Sequence, residues 1–282
     1  MSQDRENKNM AVFQHAQSTQ NVESVKAEFG LDIPNELVPL PSCGKVYAQG
    51  HSLHLRQDLE IRPMTTREED ILTSRALIKK GTVITELVKS CLIDKSVSPA
   101  DLLIGDRNAL MVAIRVTGYG AEYPAEVECS ACQKKFEHTF DLTALPIKRL
   151  EIDPVSLGQN AFEFLLPFSK KRVCFKFMTG HDEEEIATTQ EKQKKLGLQS
   201  DNLVTTNLLY SIVSVDGVTD RAKIAAFTKN MLARDSKELR AYIKAHEPGI
   251  EMKQEVTCTS CGHEEEVGMP ITTGFLWPNL QQ

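Results

Sequence analysis

After about residue 37 the apolar positions fall into two periods, one near 3.6 and one near two, and the switches between them mark the elements. Helical spacing comes first. Thr65 and Thr66 open a run with Glu68 and Glu69 placed as in a capping box. Ile71, Leu72, Ala76 and Leu77 form its apolar stripe, Lys79 and Lys80 its last turn, and Gly81 its left-handed stop. Ile84, Leu87, Val88, Cys91 and Leu92 predict a second helix. Ser98-Pro99-Ala100-Asp101 reads as a further helix start, with proline at the first helical position. Asp106 is expected to cap a helix over Arg107 to Thr117, ended by Gly118.

Alternation predicts the strands. Leu53, Leu55, Leu59 and Ile61 suggest two short strands around Arg56-Gln57-Asp58, after an irregular loop over Val38 to Lys45. Tyr119 to Leu142 reads as strand, turn, strand. Phe162, Phe164 and Leu166, then Val173, Phe175 and Phe177, predict a hairpin turning at Pro167 to Lys171. Helices return beyond it. Thr179 and Asp182 can cap Glu183 to Lys195, and Leu203 to Val213 reads as helix. Asp216-Gly217 marks a tight turn. Asp220 heads Arg221 to Leu232, and Asp235 or Ser236 caps a last helix ending at His246 before Pro248-Gly249.

The expected class is α+β: a helical N-terminal part packed on a β-rich, discontinuous zinc-ribbon part that carries a helical insertion. The expected divisions are a flexible polar arm over 1–36, a loop, short strands and helices over 37–118, a β and ribbon part over 119–178 plus 248–282, and the insertion over 179–247. The opening residues are polar and of mixed charge, which does not read as a signal peptide. No apolar run nears the roughly 18 residues needed to cross a bilayer, so no membrane partner is expected.

The ribbon expectation rests on cysteines. Cys129-Ser130-Ala131-Cys132 and Cys258-Thr259-Ser260-Cys261 are separated by 125 residues, yet each sits between two strand-like runs. Two such knuckles can place four thiolates at the corners of one tetrahedron, the arrangement that Zn2+ takes in structural sites. Gly262 after the second pair suits a left-handed backbone, and Gln133 stands in the matching place. Closing a loop of this length costs roughly 4 kcal/mol, against on the order of 10–16 kcal/mol for structural zinc in small peptides. Four thiolates leave no open coordination position, so the expected site is structural. A redox dithiol, two unrelated turns, and a mixed site using His138 or His263 are the alternatives. Seven cysteines are an odd number for a disulfide framework and fit a reducing compartment.

Composition narrows the function. With 41% apolar and 26% charged residues the chain can build a core. A net charge of −6 argues against a protein whose main work is neutralising nucleic-acid phosphates. There is no phosphate loop, G-x-S-x-G elbow, H-E-x-x-H or dinucleotide fingerprint. His181 to Glu185 is the densest ionisable cluster and reads as a helix N-terminus obeying its dipole. No catalytic constellation, cofactor pocket or small-molecule substrate is expected.

The order of motifs carries one more reading. It runs through Leu40-Pro41-Ser42 with Gly44 and Tyr47, Ile61 to Leu72, Gly105-Asp106-Arg107, Gly118-Tyr119-Gly120, the first knuckle, Val215-Asp216-Gly217, the second knuckle and Phe275-Leu276-Trp277-Pro278. This resembles the baseplate hub protein family of contractile-tailed, T-even type bacteriophages, over about 38 to 278. Leu276 departs from the second aromatic such a terminus would carry. The resemblance implies a viral structural or assembly protein without catalysis. It would sit in the virion tail baseplate after assembly in the host cytoplasm, with other tail proteins as partners. Phe275, Leu276 and Trp277 are candidate partner anchors on this reading, or pack on their own ribbon. A transient assembly chaperone and a nucleic-acid-binding zinc ribbon are the rival functions.

Overall fold

In the computed structural model, residues 34–195, 202–269 and 273–276 are described. The expected arm falls almost wholly outside them. From Glu36 onward the chain forms one compact unit.

That unit is built around one helix. α4 (Ile104–Tyr119) follows α1 (Thr66–Thr73), α2 (Arg75–Lys80) and α3 (Val83–Cys91). It buries residues on every side: Ala109, Leu110, Met111, Val112 and Ile114, and also Asp106, Arg107 and Arg115. A helix apolar around most of its circumference belongs inside a core. β1 (Glu36–Pro39) and α3 pack on it. β1 pairs antiparallel with β2 (Asp58–Ile61), so Val38, Leu59 and Ile61 point into the same core.

Three predicted features of this half are corrected. Leu53 to Leu55 is turn rather than strand, because Leu55 takes a left-handed φ of 54°. The strand partner of 58–61 is instead the stretch read as the start of an irregular loop. Ser98 to Asp101 starts no helix. Asp106 lies inside α4 rather than at its cap. It is fully buried, and it accepts from the Ser42 amide at 2.9 Å and the Tyr47 hydroxyl at 2.6 Å. Burial pushes its carboxyl above the usual range, while those two donors pull it back.

The capping box at Thr65 forms as expected. Glu68 accepts from the Thr65 amide and hydroxyl, from Ser90 Oγ, and bidentately from Arg62 at 2.6 and 3.0 Å. The helix breaks at Ser74, and Gly81 ends the second piece with a φ of 72°. Burial alone would raise the Glu68 carboxyl. The Arg62 fork, Ser90 and Thr65 outweigh it and hold the carboxyl at about 2, below its ordinary 4.5. A depressed acid contributes stability above its unfolded value and loses it as pH falls through its folded value. Unfolding between pH 6 and pH 3 should therefore show a loss of roughly 2 kcal/mol from this group. Glu68→Gln should flatten that part of the acid limb in denaturant titrations, and an unchanged limb would contradict the assignment.

The second half combines local β pairings with four longer helices. β3 (Glu122–Glu128) pairs with β4 (Lys135–Asp141), followed by a 3-10 turn over Leu142–Ala144 and β5 (Ile147–Lys148). β6 (Phe162–Leu165), β7 (Arg172–Phe175) and β8 (Ile212–Val215) form a three-stranded sheet in that order. α5 (Gly180–Lys195) and α6 (Leu203–Ser211) lie between β7 and β8. The run expected to be helical through Val213 thus leaves the helix at Ser211. Ile212, Val213 and Val215 are β-branched, and Ile212 and Val215 pair with β7. Asp216 and Gly217 both take positive φ, as a D-G turn requires.

α7 (Arg221–Asn230) is capped by Asp220, as expected. α8 (Ala233–His246) has Leu232 at its N-cap position instead of Asp235 or Ser236. Asp235 points into the β6–β7 turn and accepts from the amides of Phe168 and Ser169, both at 2.9 Å. Tyr242 of α8 packs on Phe164 and Phe175 of the sheet. β9 (Gly249–Ile250) pairs with β5, and β10 (Lys253–Thr257) pairs with β11 (Glu264–Gly268). A short α9 (Thr273–Leu276) ends the described chain. Helices and mainly local antiparallel strands together make the fold α+β.

Candidate metal centre

Each knuckle caps a two-stranded ribbon whose inward positions are apolar. Tyr123, Val127, Phe136 and Phe140 are buried on the first, and Val256 on the second. The two turns are closed by the same pair of backbone bonds. The Gln133 amide donates to the Cys129 carbonyl at 2.8 Å, and the Gly262 amide to the Cys258 carbonyl at 2.9 Å. The Cys129 amide donates to the Lys134 carbonyl at 3.0 Å, and the Cys258 amide to the His263 carbonyl at 2.8 Å. Both turns need a left-handed residue at their end, and Gln133 (φ 57°) and Gly262 (φ 72°) supply it. Glycine takes this conformation without steric cost, and glutamine does not.

The knuckles meet. Cys129 Sγ lies 3.7 Å from Cys261 Sγ, and Cys132 Sγ lies 3.8 Å from Cys258 Sγ. All four sulfurs lie within 4.8 Å of one another. A tetrahedron with metal–sulfur bonds of about 2.3 Å has edges of about 3.8 Å, so the two crossed contacts match its edges. The contacts pair the first cysteine of each knuckle with the second of the other, which interleaves the two donor sets. Cys129 and Cys258 are buried, Cys132 is half-buried and Cys261 is exposed. His138 is turned against Phe140 and His263 faces solvent; neither belongs to the cluster.

The thiols do not share charge evenly. Burial works against ionising Cys258, but the amides of Ser260 and Cys261 and the thiols of Cys261 and Cys129 bring it down to about 7. The His263 amide favours the Cys261 thiolate, yet desolvation and the three neighbouring thiols override it and push Cys261 up to about 12. Cys258 ionises readily while Cys129 and Cys261 resist, as like charges at these distances must. Holding four thiolates here needs a cation among them.

Other contacts hold the two ribbons together. Glu265 of the second accepts from the Ser130 amide of the first at 2.9 Å, and the Gln254 side chain donates to the Asp141 carbonyl at 2.6 Å. At their base β5 pairs with β9, Ile147 opposite Ile250. Gly105 of α4 lies directly under this base: a Cβ there would stand 1.8 Å from the Pro248 carbonyl oxygen.

With this arrangement in place, comparison with known families is informative. The model of the T4 bacteriophage base plate proteins matches residues 39–277. The chain belongs to that family. No curated protein and no solved structure gives a match. Family membership makes this a structural protein of a phage tail baseplate, whose partners are other tail proteins.

The matched region runs from the end of β1 to the residue after α9, so it takes in both knuckles and the C-terminal turn. In this base plate protein Phe275 is fully buried, its ring edge-on to Tyr123 at 5.3 Å, and Leu276 is nearly so. Both pack on their own chain. Trp277 lies outside the described residues. The Phe275 carbonyl accepts from Arg115 Nε at 2.7 Å, and the Gly120 and Glu122 carbonyls accept from the same guanidinium at 2.7 and 3.1 Å. Arg115 thus ties α4, β3 and the C-terminal turn together, with 1% of its surface exposed. Its sequence signal was an arginine inside the apolar pattern of a helix.

Proposed function

We propose that the protein is a component of the baseplate hub, present in the finished tail, and that a structural Zn2+ bound by Cys129, Cys132, Cys258 and Cys261 clasps its two ribbons together. The tetrahedral spacing of four thiols from two matched knuckles is the observation that carries the zinc assignment. A soft, closed S4 donor set with no vacant position suits zinc as a structural ion. On this reading, residues 179–247 form an insertion held between the ribbon halves. The surfaces kept in place by the clasp bind other tail proteins, and assembly takes place in the host cytoplasm before the particle is released.

Quantitative mass spectrometry of purified particles tests the hub assignment. The expected result is a fixed number of copies per tail, in whole-number ratio to other baseplate proteins. Presence in infected cells but not in purified particles would replace this reading with that of an assembly chaperone. Salt-sensitive binding to DNA or RNA by the purified chain would favour the nucleic-acid alternative.

A further inference from the structure

The charge of this chain is unevenly placed. Arg221 to His246, which spans α7 and α8, carries seven Lys and Arg against two Asp and Glu, a local +5 in a chain of −6. One of the two acids, Asp235, is buried under the β6–β7 turn. The corner where that turn meets the start of α8 is both basic and apolar. Phe168 and Leu232 are 46% and 55% exposed, and the Arg234 guanidinium lies 4.6 Å from the centre of the Phe168 ring. Lys170, Arg234 and Lys237 are exposed around them.

The β3–β4 ribbon shows the opposite pattern. From Glu122 to Asp141 it holds five acids and two lysines, a local −3. Its register sets acid directly opposite acid twice, Glu122 against Asp141 and Glu126 against Glu137, all on the exposed face. Like charges in such positions destabilise a ribbon. Lys135 reaches Glu126 at 2.7 Å, and Asp141 caps Thr143, but the pairing itself stays repulsive. Between the two acidic pairs stand Pro124 and Thr139, both exposed. The ribbon face is thus a small uncharged step flanked by acids, and the corner is an aromatic ring flanked by cations.

We propose that this corner docks the outward face of the β3–β4 ribbon of a second copy of the chain. Phe168 seats on Pro124, and Lys170 and Arg234 face the two acidic pairs. The two surfaces differ, so the contact is head-to-tail and can build rings or longer arrays. The external cations relieve a repulsion that the ribbon carries alone.

Sedimentation of the full chain at low and high salt, with two double variants, tests this. The wild type should associate at about 0.03 M salt and weaken at least tenfold by about 0.5 M, as screening predicts. Lys170→Glu with Arg234→Glu should be monomeric. Glu122→Lys with Glu137→Lys should also be monomeric, yet melt no lower than the wild type, since each change turns a repulsive cross-strand pair attractive. An equimolar mixture of the two variants should associate again, because each then offers the surface that the other lacks. If either variant fails to fold, the other together with the salt series still decides. A wild type that stays monomeric at low salt, association that survives either variant, or a mixture that stays monomeric would overturn the proposal. So would loss, in the corner variant, of an acidic tail protein or nucleic acid bound by a monomeric wild type.

Discussion

Replacing Cys258 with serine should release the bound metal and lower the melting temperature of the whole chain by roughly 10 °C or more. Cys258 is buried, and its sulfur stands 3.8 Å from Cys132 of the other knuckle. Serine retains the size of the side chain but not the soft thiolate. The remaining three sulfurs then surround a weaker ligand, and the like-charge problem at Cys261 loses its solution. Chelation of the wild type should have the same effect without any change of sequence, and returning zinc should restore the melting curve. Cys43→Ser gives a control, since Cys43 is distant from the cluster in sequence and absent from it in space. It should leave both metal and melting temperature nearly unchanged. Equal effects from the two serine variants would remove the clasp from the account.

Gly105→Ala should cost about 3–5 kcal/mol, large for one added methyl group. Its Cβ would stand 1.8 Å from the Pro248 carbonyl oxygen, 2.7 Å from the Pro248 carbonyl carbon and 2.9 Å from the Gly249 Cα. All three are backbone atoms. They belong to the segment that pairs with β5 and leads within a few residues into the second knuckle, so relief by rotating a side chain is closed off. The helix or β9 must move, and either shift loads the base of the ribbons. Gly118→Ala is the contrast on the same helix. Its Cβ would meet the end of the Met64 side chain at 2.6 Å, and a flexible thioether can swing away. Denaturant unfolding of the two variants should therefore separate by at least about 2 kcal/mol, with Gly118→Ala near the wild type. Similar values for the two would show that the α4–β9 contact is looser than described.

Much of this was legible in the chain because it is local. The knuckles, the hairpin over 162–175, the D-G turn at 216–217 and the Thr65 capping box each depend on residues a few positions apart, and each formed. The misreadings have a common cause. Leu53 and Leu55 alternate like a strand, but Leu55 turns left-handed to donate its amide to the Gly44 carbonyl, a contact that no local pattern announces. Asp106 and Asp235 both look like helix caps, since Asp near a helix start usually is one. Each instead reaches a distant backbone, at Ser42 and at Phe168. The site followed the same rule: the spacing of each C-x-x-C was visible, but that Cys129 faces Cys261 across 132 positions is a product of the fold.

The most direct test of the clasp is the metal itself. Native mass spectrometry of the full chain, paired with X-ray absorption at the zinc edge, should find one zinc per chain with four sulfur neighbours at about 2.3 Å. A protein purified under reducing conditions that carries no metal, takes up none from added zinc, and melts at the same temperature with and without chelator would contradict the account.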